Sequence, residues 1–232
     1  MKPEPNAIRH SPPSHPKGAK EQQESSLRLV AWETTRNCNL ACIHCRASAT
    51  CGPYEGELDT RASLRLLDEI AQVGKPIVIL TGGEPLLRAD IFDLARHGTE
   101  LGLRMVMACN GTLVDDTIAR KIANAGIKRI SVSLDGSTAE THDKFRGVPG
   151  AFEGALRGLE NAKKTGIEFQ INTTITKANL KQIPNILDLA VKLGAVAHHI
   201  FLLVPTGRGK YIIDKAINAA EYEETLNWCY DQ

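Results

Sequence analysis

The chain has 232 residues, 42% of them hydrophobic, enough for one domain with a sizeable core and no argument for two. Its 28 basic and 27 acidic residues leave a formal net charge of +1, so there is no electrostatic case for nucleic acid or an acidic membrane as the main partner. Six cysteines, three of them crowded into residues 38–45, speak against the spread framework of a small secreted disulfide protein and for a reducing interior.

Residues 1–26 are rich in Pro, Ser, Lys and Gln and nearly devoid of large apolar side chains, which predicts a flexible tail ahead of one domain over residues 27–232. The start of that tail, MKPEPNAIRHSPPSHPKGAK, lacks the apolar centre of a signal peptide. No apolar run reaches the roughly 18 residues of a membrane span. The expectation is a soluble, cytoplasmic protein.

From Leu27 the pattern alternates. LRLVAWETT, PIVILTG, RMVMACN, RISVSLD, EFQINTTI and AHHIFLLVP read as six strands. LDTRASLRLLDEIAQVG places Leu64, Leu67, Ile70 and Ala71 on one helical face, and IPNILDLAVKLG does the same with Ile186, Leu189, Ala190 and Leu193. Gly74, Gly102, Gly126, Gly166 and Gly194 each end a helical pattern and precede a strand, which predicts left-handed C′ residues there. A last segment, AAEYEETLNWCYD, has Tyr222, Leu226 and Cys229 at helical spacing.

Strands alternating with helices imply parallel pairing and an α/β sheet, open or curled, with ligands gathered at the carboxyl ends of the strands. That is where the chemistry-bearing residues fall. A C-x3-C-x2-C run (Cys38, Cys42, Cys45) follows strand one, GGEP follows strand two, CNGT strand three and SLDG strand four. NTT lies in strand five and VPTGRG follows strand six. Structural zinc needs a fourth ligand, for which Cys51 and the sterically awkward His44 are the nearby candidates. Three thiolates on one loop also suit three irons of a cubane cluster, whose fourth iron is then open to a small molecule.

The Cys loop, GGEP and the six α/β units in this order resemble the radical S-adenosylmethionine superfamily over about residues 28 to 210. The resemblance implies a partial (β/α)6 barrel with parallel strands. It also implies a [4Fe–4S] cluster on Cys38, Cys42 and Cys45, with S-adenosylmethionine on the open iron, cleaved by one electron to a 5′-deoxyadenosyl radical that takes a hydrogen from substrate. By position, Gly82, Gly83 and Glu84 are expected to receive the methionine amino group, the glycines permitting close approach. His44 is expected near the adenine. Ser133 and Asp135, alternate residues that would face one side, are expected at the ribose or carboxylate, the other reading being a cap of the next helix. Asn172 and Arg146 complete the expected contacts to the amino acid part. Cys109 is expected to pack.

Within the superfamily, HDKFRGVPGAFEGALRG and HIFLLVPTGRG resemble the haem-forming branch, which oxidatively decarboxylates two propionates of iron-coproporphyrin III to vinyl groups. A tetracarboxylate substrate needs cationic anchors, for which Arg208 and Lys210 stand at the right strand end. A low-potential donor such as flavodoxin or ferredoxin is the implied partner. Relatives of this branch continue into a cysteine-bearing C-terminal region with auxiliary clusters, and only Cys229 stands there in this chain, so a fragment or truncated protein is expected. Related tetrapyrrole processing, peptide maturation, and a non-catalytic iron–sulfur or zinc protein are the alternatives.

Overall fold

The computed structural model describes residues 27–52 and 54–232; the tail expected over residues 1–26 lies outside them. Six strands, β1 (Leu29–Thr35), β2 (Ile77–Gly82), β3 (Arg104–Cys109), β4 (Arg129–Ser133), β5 (Glu168–Ile175) and β6 (Ala197–Leu202), pair in chain order and all in parallel. β1 and β6 do not pair with each other, so the sheet stays open as a partial barrel. α1 (Thr60–Val73), α2 (Ile91–Glu100) and α3 (Asp116–Asn124) make the first three crossovers. α4 (Ala139–Arg146) and α5 (Ala151–Lys164) share the fourth, α6 (Ile183–Leu193) makes the fifth, and α7 (Ala219–Tyr230) follows β6.

Local chemistry sets the helix starts. Asp59, Asp115 and Thr138 each accept a backbone N–H of the first turn of α1, α3 and α4, and Asn218 forms a capping box with Glu221 at α7. Among the five helix-ending glycines, Gly102, Gly126, Gly166 and Gly194 are left-handed as expected. Gly74 is not: it ends α1 extended, at φ 168°, where the chain straightens toward Lys75 and Pro76.

Side chains alternate along each strand, and the parallel register lines them up across the sheet. Val78, Leu80, Met105, Met107, Ile130, Val132, Phe169 and Ile171 are buried against Leu67, Ile70, Leu94, Ile122, Leu159 and Ile186 of the helices. Between these core positions stand Glu33, Thr81, Ala108, Ser133 and Asn172, which line a cavity at the strands' carboxyl ends. Among the described residues no helix is long and apolar enough to cross a membrane.

Candidate active site

β1 ends in a register shift between Glu33 and Thr35, and the chain leaves the sheet into the Cys loop. An Asn37–Thr50 bridge closes the loop at its base, with Cys38 N–H donating to Thr50 O at 3.0 Å. Ala41 N–H and Ile43 N–H donate to Arg146 O and Phe145 O, docking its middle on the end of α4. Each of the three sulfurs then has its own donor. Leu40 N–H points at Cys38 Sγ (3.4 Å), Ala49 N–H at Cys45 Sγ (3.3 Å) and Arg146 Nη1 at Cys42 Sγ (3.6 Å). Donors aimed at sulfur favour the thiolate and tune whatever metal it holds. Without metal, burial pushes the Cys38 thiol up to about 11, the Leu40 N–H pulling the other way.

The GGEP turn lies against the base of that loop. Gly83 N–H donates to Thr35 O and Glu84 N–H to Asn37 O, both at 2.7 Å. A Cβ on Gly82, at φ +139°, would stand 2.1 Å from Thr35 O, and one on Gly83 2.3 Å from Asn37 O. The glycines are therefore required by the loop's own backbone, a different cause from the ligand approach expected from sequence. Glu84 also differs from expectation. It is fully buried (0% exposed), and its carboxylate accepts Leu86 N–H (3.1 Å) and Asn110 N–H (2.8 Å), tying the tip of β2 to the end of β3. Burial raises it to about 7 against the pull of those two N–H groups.

Ser133 lines the cavity, but Asp135 does not share its face. The Asp135 carboxylate is buried, accepts Thr174 N–H at 2.8 Å and is ion-paired with Arg146. Nor does it cap the next helix, since Thr138 does. Burial alone would lower the Arg146 guanidinium, but Asp135 and the Cys42 sulfur outweigh it and raise its pKa. Asn172 lines the cavity with its Oδ1 accepting Gln170 Nε2–H at 3.0 Å. The His44 ring stacks on Phe145, centroids 4.3 Å apart, and burial lowers its pKa to about 2, the Arg146 charge adding to the effect.

The expected substrate anchors go elsewhere. Arg208 lines the cavity, yet its Nε donates to Cys42 O (2.7 Å) and its Nη1 to Ala49 O (2.5 Å). Lys210 is exposed, outside the cavity lining, with its ammonium 4.8 Å from the Tyr211 ring. In this structure the Arg208 guanidinium is engaged by carbonyls and the Lys210 ammonium lies near an aromatic ring.

The structure thus brings Cys38, Cys42, His44, Cys45, Gly82, Gly83, Ser133, Arg146, Asn172 and Arg208 around one cavity of about 340 Å3, and leaves Glu84, Asp135 and Lys210 off its wall. Sequence reasoning did not single out Asn110, Phe145 or the Glu33–Arg46 ion pair. Asn110 had a signal in its place after a strand, as part of CNGT.

The cavity fits an iron–sulfur cluster with an open corner and a polar ligand beside it. Among the described residues no three His, Cys, Asp or Glu side chains converge as a single ion requires, and exposed Cys51 is not on the cavity wall, which disfavours zinc. Three cysteine sulfurs on one wall are the donor set of a larger cluster. Two buried polar atoms of residues that line the cavity, His44 Nδ1 and Arg146 Nε, have no partner among the described residues. Such atoms call for a ligand or water.

Comparison with known proteins agrees. The family description that matches is the Radical SAM superfamily, over residues 32–190. An AdoMet-dependent heme synthase of Oleidesulfovibrio alaskensis is 54% identical over 211 residues, 91% of this chain and 54% of the relative. One of Methanosarcina barkeri is 52% identical over 204 residues, 88% of this chain and 58% of the relative. The chain therefore spans little more than half the length of these curated relatives. Among solved structures, Streptococcus suis SuiB bound to S-adenosylmethionine superposes with a TM-score of 0.74 at 19% identity, over 89% of this chain and 48% of that one. Sequence identity and fold point the same way: the chain belongs to the radical SAM superfamily, whose enzymes use a [4Fe–4S] cluster and S-adenosylmethionine.

Proposed function

We propose that residues 27–232 form the radical-generating domain of an enzyme that makes haem from iron-coproporphyrin III by oxidative decarboxylation of two propionates. Cys38, Cys42 and Cys45 hold the cluster in this reading. Gly82 and Gly83 offer backbone to the methionine amino group, while Ser133, Asn172, Arg146 and His44 receive the rest of the cofactor. When bound, the cluster and S-adenosylmethionine supply one-electron cleavage of the sulfonium and a radical able to abstract hydrogen from the substrate.

The chain's own residues prepare that chemistry. Leu40 N–H, Ala49 N–H and Arg146 favour thiolates at the three cysteines. Arg146, fixed on one side by Asp135, keeps Nε free for the cofactor carboxylate, and neutral His44 offers a flat face and a free Nδ1. The tetrapyrrole enters from the open side between β1 and β6. The electron comes from a low-potential donor such as flavodoxin or ferredoxin, in the cytoplasm.

The observation that carries this reading is three cysteine sulfurs of one loop, each with its own N–H donor, on the wall of a cavity shared with Gly82 and Gly83. The relatives named heme synthases supply the substrate class. The test is an anaerobic reaction of cluster-loaded protein with dithionite, S-adenosylmethionine and iron-coproporphyrin III, followed by mass spectrometry. Successive loss of two carboxyl groups with 5′-deoxyadenosine is the expected result. Deoxyadenosine without porphyrin change would keep the radical assignment and point to another substrate or a needed auxiliary domain, and neither product from loaded protein would refute the catalytic reading.

A further inference from the structure

The two edges of the open sheet meet at one place above it. After β6 the chain enters a 3-10 segment, Gly207–Lys215, kinked at Ile212, and its first residues lie on the Cys loop that follows β1. Arg208 N–H donates to Cys45 O at 2.9 Å, while its side chain holds Cys42 O and Ala49 O. Gly207, at φ +54°, lies so close that a Cβ would stand 2.2 Å from Arg46 O and 2.4 Å from Cys45 O. Two nitrogens of one planar guanidinium thus bind carbonyls on both flanks of Cys45, a geometry that a point-like ammonium does not reproduce.

The loop needs such a hold. Ser48 is the one non-glycine residue with positive φ among the described residues, at +51°, a conformation costing about 1–2 kcal/mol for an ordinary residue. That turn aims the next N–H, of Ala49, at Cys45 Sγ. The Ala49 carbonyl is the one that Arg208 grips from the far side.

We infer that Arg208 is a positioning residue, which holds the Cys42–Ala49 turn in its cluster-binding conformation before any metal arrives and bridges the two unpaired edges of the barrel. The inference rests on the reading of this loop as the cluster site. It gives Arg208 a role other than the substrate-carboxylate contact expected from sequence.

The test follows amide hydrogen exchange on the cluster-free chain under reducing conditions and, on loaded protein, iron transfer to a chelator. In Arg208→Ala the amides of residues 41–50 should exchange about tenfold faster or more, with those of Met105–Met107 in β3 unchanged. Arg208→Lys should fall between the variant and the wild type, and iron release should accelerate in the same order. Equal loop exchange in Arg208→Ala and wild type would overturn the inference, as would an equal acceleration of loop and β3 amides. Should Arg208→Ala not fold, Arg208→Lys and Arg208→Gln decide by the same criteria. A wild-type chain that takes up no iron would overturn the cluster reading instead, and the exchange measurement would still judge the bridge.

Discussion

Glu84 makes the fold sensitive to pH in an unusual direction. Its carboxyl is raised from an ordinary value near 4.5 to about 7, because complete burial outweighs the two N–H groups it accepts. The folded chain therefore binds a proton that the unfolded chain has released. The associated stability is fully present below pH 4.5 and is lost as the pH rises through 7. At about 1.4 kcal/mol per pKa unit, Glu84 should cost the fold about 2–3 kcal/mol between pH 5 and pH 8. His44 and His142, lowered by burial to about 2 and about 3, act oppositely: their stability is present above 6.5 and fades below it. A wild-type curve alone would mix these effects, and comparison with Glu84→Gln separates them. Glutamine keeps one acceptor but turns an NH2 group toward a backbone N–H, so the variant is less stable at pH 5 by about 1–3 kcal/mol. That gap should close by about 2–3 kcal/mol at pH 8, where the wild type carries the buried charge. Urea unfolding under anaerobic, reducing conditions, read by tryptophan fluorescence at pH 5, 6, 7 and 8, measures it. Parallel pH curves for the two proteins would refute the reasoning.

Asp135→Asn leaves the buried Arg146 charge without its partner and should cost about 3–5 kcal/mol, read as a fall in urea midpoint. Gly83→Ala drives a Cβ into the Asn37 carbonyl and should cost about 1–3 kcal/mol, whereas Gly52→Ala, whose Cβ would meet nothing nearer than 3.6 Å, should stay within about 0.5 kcal/mol in the same assay. Thr138→Ala removes the cap of α4 and should lower stability by about 1 kcal/mol, with faster exchange confined to the first turn of that helix.

What the sequence discloses is what repeats or lies close along the chain. The β-branched run of LRLVAWETT and the apolar run of RMVMACN become β1 and β3 because short runs of this kind between turn residues favour strands. Tyr222, Leu226 and Cys229 do fall within one helix, α7. The three cysteines share a wall because they share a loop. Asp135, Glu84 and Arg208 have contacts that spacing does not disclose, for one reason: each side chain is engaged by backbone or charge brought from another element. Arg208 and Cys42 are 166 residues apart, and no spacing rule connects them. Ser133 and Asp135 illustrate a smaller failure. Alternation holds only inside the strand, and β4 ends at Ser133, so the next two residues are free to turn Asp135 into the core beside Arg146.

The bridge from Gly207 and Arg208 to the Cys loop also sets an order in time. A ribosome delivers the chain from its amino end at about 5–20 residues per second, so the cysteines emerge roughly ten to thirty seconds before the arginine that grips them. Over that interval β1 to β5 can pair one after another, each onto its predecessor, while the loop at the first edge waits without its hold. The last-made part of the barrel is thus the part that completes the first-made loop.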